Sequence, residues 1–110
     1  MLVVNRFQIQ VQVEGRDDEA LRDQLTRAHR LLAACPGYVD GTLGRSIDDQ
    51  SIWLLMTRWE NVGSYRRALS SYDVKVQAVG VLASAIDEPS AFEEVTASDE
   101  LNRDVPRRMD

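Results

Sequence analysis

Side chains able to move protons or to hold metal ions are scarce in this chain of 110 residues. It contains one histidine, His29, and one cysteine, Cys35. A lone histidine can act as a general base or proton shuttle, or it can lie at the edge of a helix's apolar stripe with a single hydrogen bond. One histidine and one cysteine cannot form a histidine-based metal site, a thiolate cluster or an intrachain disulfide, so we expect no metal site.

The stretch Ser51–Tyr65 indicates which elements would position such side chains. Its run Ile52–Met56 is apolar on both alternating faces, which is typical of a central strand covered on both sides. Asn61 is a good N-cap, because its side-chain oxygen can accept hydrogen bonds from the free N–H groups of the following turn. The sequence therefore predicts a buried strand that ends near Trp59 and passes directly into a helix.

The N-terminal stretch predicts a second long strand. Residues 2–13 alternate between apolar and polar side chains, and this period of two is typical of strands. One face carries Val3, Asn5, Phe7, Ile9, Val11 and Val13, and the other carries Arg6, Gln8, Gln10 and Gln12. The glutamine row either faces solvent or lies against a partner sheet, and the sequence leaves both interpretations open.

A helix and a hairpin are predicted next. Apolar residues recur at spacings of four, three and four over residues 18–34, which predicts one buried stripe formed by Leu21, Leu25, Ala28 and Leu32. Cys35, interpreted as a small buried side chain, precedes a Pro36-Gly37 turn that ends the helix. Residues 38–46 predict a weaker strand that pairs with the central strand as a hairpin.

The C-terminal part predicts an interrupted helix and an edge strand. A short helix over about 62–70 precedes a second segment, which Asp73 can cap and which runs to about residue 86. After a polar break, residues 91–96 predict a last strand whose mixed face is typical of a sheet edge.

The order strand–helix–strand–strand–helix–strand predicts the fold class. It is typical of an α+β fold of the ferredoxin-like split βαβ type, with an antiparallel sheet and both helices on one face. We expect this single domain to span residues 1–96 and a charged, mobile tail to span residues 97–110.

One face of the predicted sheet has no cover from its own chain. The helices must lie on the side that holds Phe7, since that face of the first strand is apolar. Three side chains of the central strand would then form an exposed apolar patch, namely Ile52, Leu54 and Met56. A second copy packed sheet against sheet would remove this patch, so we predict a homodimer with a two-sheet, barrel-like interface.

Charge and hydropathy exclude some classes of partner. The net charge of −5 and the pI of about 4.8 argue against a nucleic-acid partner and against an anionic membrane surface. No stretch approaches the roughly 18 apolar residues of a membrane helix, and the N-terminus lacks the pattern of a signal peptide. We therefore expect a cytoplasmic protein with no nucleic-acid or membrane partner.

Several residues recur in the order and spacing of a known family. They are Pro36-Gly37-Tyr38, Leu43, Arg45, Trp53, Trp59-Glu60-Asn61 and Tyr65. From about residue 2 to residue 96, the chain resembles the antibiotic biosynthesis monooxygenase family, whose members are dimeric α+β barrels. That family contains cofactor-free monooxygenases that oxidise anthrones or quinols, haem-degrading enzymes, and members with no known reaction.

The resemblance implies roles for particular residues. In the cofactor-free monooxygenases, a tryptophan at the end of the central strand and a tyrosine six residues later lie at the substrate pocket, and Trp59 and Tyr65 match them. The family's asparagine four residues before that tryptophan is replaced here by Leu55, and its second-helix arginine falls near Val79. The haem-degrading branch uses a second-helix histidine, which Asp73–Ile86 lacks.

The first functional hypothesis is a cofactor-independent monooxygenase that acts on an aromatic or quinol-like small molecule. Its catalytic residues would be Trp59 as a pocket wall and Tyr65 as a hydrogen-bond donor to a substrate oxygen. Substrate-binding residues would be Asn5, Phe7, His29 and Leu55. Such chemistry needs no cofactor, because an electron-rich substrate can itself supply the carbanion that meets oxygen.

Other functions remain compatible with the same residues. The chain can be a non-catalytic dimeric module that binds a small apolar ligand, since Leu55, Phe7 and Ile9 would give a pocket with few polar groups. It can also be a cyclase or isomerase that uses the same pocket without oxygen. In a third interpretation, Trp53 and Trp59 are plain core residues and border no pocket.

Overall fold

The computed structural model describes residues 1–9 and 16–101. The strands are β1 (Leu2–Gln8), β2 (Tyr38–Arg45), β3 (Ile52–Trp59) and β4 (Ala91–Phe92). The helices are α1 (Arg16–Ala33), α2 (Val62–Ser70), α3 (Tyr72–Gln77) and α4 (Val79–Leu82). The strands and helices follow one another in the predicted order.

The four strands form one antiparallel sheet in the order β2-β3-β1-β4. The apolar strand β3 lies between β1 and β2, so that Leu55, for example, has Asn5 on one side and Leu43 on the other. This arrangement confirms the ferredoxin-like α+β class and the central position of β3.

Alternate residues of β3 face the helices. Trp53, Leu55, Thr57 and Trp59 are buried, whereas the residues between them are partly exposed. The buried side of the sheet packs on apolar side chains from the helices, namely Leu25, Ala28, Leu32, Ala68, Val74 and Ala78. The core therefore lies between the helix layer and one face of the sheet, as the alternation in β1 and β3 predicted.

The second predicted helix is not continuous. It divides into α3 and α4 at Ala78, whose φ of −123° and ψ of −29° lie outside the helical range. Ala78 is completely buried, and its backbone N–H still donates to the Val74 carbonyl oxygen. The predicted cap Asp73 is wrong, because Ser71 occupies the N-cap position and Asp73 lies in the first turn of α3.

The last strand is also shorter than predicted. Only Ala91 and Phe92 pair with β1, opposite Val3 and Leu2. The reason is geometric: the antiparallel register brings the chain to the beginning of β1 at Phe92, so residues further along have no strand left beside them. The prediction of a strand over 91–96 is therefore wrong beyond its first two residues.

The predicted first strand continues beyond the region that the structure describes. Its ladder with β3 extends one residue past β1, because the Ile9 N–H donates to the Ser51 carbonyl oxygen at 2.9 Å. The other predicted positions, Gln10, Val11, Gln12 and Val13, lie outside the described residues, as do residues 102–110 of the predicted tail.

Within residues 1–9 and 16–101, no helix is both long enough and apolar enough to cross a bilayer.

Candidate functional site

The indole of Trp59 lies at the end of β3 on the side of the sheet that faces the helices. Only 1% of the residue is exposed. Its Nε1–H donates to Oγ1 of Thr57 at 2.8 Å, and Thr57 is buried on the same face of the strand. The indole N–H is therefore satisfied inside the core, and the ring is enclosed by its neighbours in this conformation.

Two tyrosines pack against the Trp59 ring. Tyr38, the first residue of β2, lies across from Trp59 in the sheet and meets the indole edge-on, with ring centroids 5.5 Å apart. Tyr65, from α2, lies at the same centroid distance with its ring tilted by 54°. Tilted and edge-to-face contacts are the favourable geometries for aromatic pairs, so the cluster packs stably.

The start of α2 determines where Tyr65 lies. The Asn61 Oδ1 accepts hydrogen bonds from the backbone N–H of Ser64 at 2.8 Å and from its hydroxyl at 3.0 Å. This geometry confirms Asn61 as the predicted N-cap. Tyr65 follows Ser64 directly, so the cap fixes the helix turn that presents its ring to Trp59.

His29 joins the cluster through Tyr38. Its Nε2 lies 2.6 Å from the Tyr38 hydroxyl, which is a single hydrogen bond between α1 and β2. The backbone of β2 closes against this pair at Gly41, where an added Cβ would lie 2.8 Å from the histidine Nε2 and 2.9 Å from the tyrosine oxygen. A residue with a side chain at this position would force the pair apart.

Tyr38 is the residue of this cluster to which the sequence assigned no role. The contacts of Tyr38 with His29 and Trp59 could not be predicted from the spacing of residues in the sequence, because they join separate elements of the fold. The signal available was its position directly after Pro36-Gly37, together with a glycine three residues later.

Burial sets the protonation of these groups. It lowers the pKa of His29 below the ordinary value of 6.5 and raises the pKa of Tyr65 above 10.0. The pKa of Tyr38 is raised as well, first by burial and then by the nearby Asp40 carboxylate. At neutral pH the imidazole is therefore uncharged and can accept a proton, while both phenols keep theirs.

Protonation of His29 is expected to destabilise the fold. Its pKa is lower in the folded than in the unfolded chain, so the unfolded chain binds the proton more readily. The contribution of neutral His29 to the free energy of unfolding is fully present above 6.5, its pKa in the unfolded chain. It is lost as the pH falls from 6.5 through the lower pKa of the folded protein. Urea unfolding of wild type and His29→Gln across this interval measures it, and parallel pH dependences in the two proteins would contradict the prediction.

Three further candidate residues lie on the helix side of the sheet. Asn5 is half-buried beside Leu55, and no hydrogen bond to the Asn5 amide is found among the described residues. Phe7 lies two residues further along β1, opposite Trp53. It borders a cavity of about 480 Å³ at the surface, whose other lining residues include Ile9, Leu21 and Gln24.

The structure thus divides the candidate residues into groups. Trp59 and Tyr65 are in ring contact, and Asn5 and Leu55 are cross-strand neighbours. Phe7 lies nearer the other end of the strands, and His29 reaches Trp59 through Tyr38. In the described ranges, no group of three histidine, cysteine, aspartate or glutamate side chains is arranged to hold a metal ion.

Comparison with known proteins adds family evidence to this geometry. The family model described as antibiotic biosynthesis monooxygenase matches residues 2–77, a range that includes the first three strands and the aromatic cluster. No curated protein sequence matches the chain.

Solved structures share the fold at low sequence identity. SnoaB, described as a cofactor-independent oxygenase from Streptomyces nogalater, is 22% identical, with a TM-score of 0.69 over 89% of this chain and 96% of that chain. Rv0793 from Mycobacterium tuberculosis is 18% identical, with a TM-score of 0.64 over 89% and 97%. A conserved protein from Methanosarcina mazei is 16% identical, with a TM-score of 0.61 over 82% and 84%.

Proposed function

The chain belongs to the antibiotic biosynthesis monooxygenase family, and from this premise we propose that it is a cofactor-independent monooxygenase acting on an aromatic or quinol-like small molecule. The observation that supports the proposal most directly is the contact between Trp59 and Tyr65. It places a phenol donor beside a flat apolar surface, on the side of the sheet where an aromatic ring could stack.

The proposed reaction uses the substrate's own electrons. Loss of a proton from an electron-rich ring carbon gives a carbanion, which transfers one electron to dioxygen. The resulting pair combines to form a carbon–oxygen bond and, after protonation, a hydroperoxide. Loss of water from the hydroperoxide then leaves a carbonyl group, so one oxygen atom enters the product and the other leaves in water. The protein has to stabilise the anion and to exclude bulk water.

Tyr65 is suited to hold a substrate oxygen. Burial raises the pKa of its phenol, so the hydroxyl remains protonated at neutral pH and can donate. Among the described residues no hydrogen bond involves this hydroxyl, so it is available to a ligand. The Asn5 amide, half-buried on β1, offers a second polar contact, while Leu55 and Phe7 supply apolar surface.

Proton removal is the step with fewest candidate groups. His29 is uncharged at neutral pH, but its Nε2 is already hydrogen-bonded to Tyr38. We therefore propose that His29 acts through the hydroxyl of Tyr38, whose ring packs against Trp59, and makes no direct contact with the substrate.

Substrate binding has to open the helix layer, because Trp59 is enclosed. The layer is weakest at α3 and α4, which have six and four residues and are separated by the break at Ala78. Helices of this length have little stability of their own and depend on packing. We propose that this part of the layer moves when the substrate enters.

We further propose that the protein is a homodimer formed by the other face of the sheet. That face carries partly exposed apolar side chains, namely Leu2, Val4, Ile52, Leu54, Met56 and Phe92. The charges beside it are paired within the chain: Arg58 contacts Asp40 and Glu94. An apolar centre with an already neutralised rim is suited to an identical copy of the same face.

Oxygen uptake by chelator-treated protein tests the catalytic proposal, with anthrones and dihydroxynaphthalenes as substrates. Tyr65→Phe and Trp59→Phe are expected to lower the rate, while Tyr72→Phe, a change at a residue that is 78% exposed, should not. Phenylalanine is the right replacement for Trp59, because truncation to alanine in a packed core costs about 3 to 5 kcal/mol and would confound activity with folding.

The same compounds separate the alternatives. Binding without uptake, detected by quenching of tryptophan fluorescence, would favour a ligand-binding module. Conversion of a substrate without oxygen consumption would favour a cyclase or isomerase. Uptake that is equal in wild type and Tyr65→Phe would contradict the role proposed for Tyr65.

A further inference from the structure

Trp59 has two possible electron donors at the same distance. The ring centroids of Tyr38 and Tyr65 each lie 5.5 Å from the indole. At van der Waals contact, electron transfer between aromatic rings is fast, so distance does not distinguish the two tyrosines. Their surroundings do.

Only one of the two phenols has a base. The Tyr38 hydroxyl lies 2.6 Å from Nε2 of His29, whereas no hydrogen bond involves the Tyr65 hydroxyl within the described part of the chain. An oxidised phenol is a very strong acid, so a tyrosine gives up an electron readily only where its proton can leave at the same time. Burial lowers the pKa of His29, which leaves the imidazole unprotonated and able to take that proton.

The hydrogen-bond partner of the Trp59 indole, in contrast, is not a base. Trp59 Nε1–H donates to the hydroxyl of Thr57, which is buried and is a poor proton acceptor. An oxidised Trp59 therefore keeps its proton and remains a strong oxidant towards a neighbouring phenol. Electron transfer is therefore favoured from Tyr38 to an oxidised Trp59, with the proton of Tyr38 passing to His29.

We propose that Tyr38 and His29 form a relay that removes an oxidising equivalent from Trp59. The Trp59 radical cation takes one electron from Tyr38, the Tyr38 O–H proton moves to Nε2 of His29, and the products are neutral Trp59, a Tyr38 phenoxyl radical and an imidazolium. The initial oxidant is any one-electron oxidant, such as an organic peroxyl radical, that takes an electron from the indole.

The relay ends where the radical can be repaired. Tyr38 is partly exposed, whereas Trp59 is 1% exposed. A small reductant such as ascorbate or a thiol can supply one electron to the phenoxyl group, and the proton returns from His29. The inference goes beyond the proposed oxygenase reaction and does not depend on it, because the relay protects the indole whatever its source of oxidation.

Flash photolysis tests the relay directly. Excitation at the red edge of the indole band ejects an electron from tryptophan, so accessibility of the ring does not matter. Trp53→Phe leaves Trp59 as the sole tryptophan. This background is favourable, because the Trp53 N–H is buried without a hydrogen-bond partner and its removal breaks no hydrogen bond.

In the Trp53→Phe background, the visible band of the indole radical is expected to decay as the phenoxyl band appears, at a rate independent of protein concentration. Adding Tyr38→Phe should abolish the fast phenoxyl signal, while Tyr65→Phe should leave it. His29→Gln keeps a hydrogen-bond acceptor but no base, so the signal should be lost there as well.

Several outcomes would overturn the relay. In the Trp53→Phe protein alone, decay of the indole radical without formation of a phenoxyl radical would already contradict the relay. A fast phenoxyl signal that survives Tyr38→Phe and disappears in Tyr65→Phe would show that Tyr65, and not Tyr38, is the electron donor. Since no substrate is present, these failures are distinguishable from failure of the proposed oxygenase function.

Mass spectrometry of proteins that retain Trp53 supplies a second measurement. After exposure to carbonate radicals with ascorbate present, oxidised products at Trp59 should be more abundant in Tyr38→Phe than in wild type. Tyr72→Phe, at a residue that is 78% exposed, serves as the matched control and should behave as wild type. Equal oxidation of Trp59 in all three proteins would contradict a protective relay.

Discussion

Gly37→Ala is expected to lower the free energy of unfolding by about 3 to 5 kcal/mol, because it combines backbone strain with overpacking. Gly37 has a φ of +90°, a conformation that side chains with a Cβ rarely adopt. A Cβ there would also overlap the side chain of Ser64. Ser64 is 3% exposed and is hydrogen-bonded to Asn61, so it cannot move aside cheaply. Urea unfolding measures the loss.

The matched control is the same change at Gly80 in α4. Apart from its chain neighbours and the backbone of its own helix, no atom lies within 4 Å of a Cβ at this position, and its φ is not in the left-handed region. Gly80→Ala should therefore be neutral or stabilise the protein by up to about 1 kcal/mol, through a smaller entropy of the unfolded chain. Equal stability of the two variants would show that the turn at Gly37 adjusts to a side chain.

The main features of the fold were predictable because they depend on period and order. Strand β3 is apolar at consecutive positions, and the structure places Trp53 and Leu55 on the helix side with Leu54 on the other. The N-cap Asn61 and the turn at Pro36-Gly37 were predictable for a similar reason: each depends on the chemistry of one residue and its immediate neighbours.

Features that depend on tertiary packing were not predictable. The second helix divides at Ala78, a completely buried residue, although no helix-breaking residue occupies that position. The early end of β4 follows from where β1 begins, which the sequence of β4 does not contain.

The candidate site shows the same limit. The sequence identified Trp59 and Tyr65 through the resemblance, and it identified His29 as a lone titratable group. It did not identify the hydrogen bond between His29 and Tyr38, because that contact joins α1 to β2 across a turn. Nor could it show that Trp59 would be enclosed, since burial depends on how several elements close over one ring.

Met56→Glu is expected to convert the proposed dimer to monomers. Met56 lies on the uncovered face of β3, with Val4 and Thr42 as its cross-strand neighbours, so neither direct neighbour can pair with a new charge. In a monomer the carboxylate would remain hydrated. In a dimer it would be buried, at a cost of about 3 to 5 kcal/mol, which corresponds to at least a hundredfold weaker association at about 1.4 kcal/mol per tenfold. Light scattering over a range of concentrations measures the change.

Two control variants separate the interface from other effects of the substitution. Met56→Leu keeps the volume and the apolar character and should leave the dimer intact. Val76→Glu adds the same charge at a residue of α3 that is 62% exposed, away from the sheet face, and should also remain dimeric. A wild-type protein that is monomeric at micromolar concentration would contradict the dimer itself.

Association and binding are predicted to depend on opposite faces of the same strand. Met56 and its alternate neighbours form one face of β3, while Leu55 and Trp59 form the other, towards the candidate site. A monomeric Met56→Glu protein that still binds aromatic compounds would show that each subunit contains a complete site. If the Met56→Glu protein loses both dimerisation and binding, the second sheet is needed to hold β3 in place, because both layers pack on this one strand.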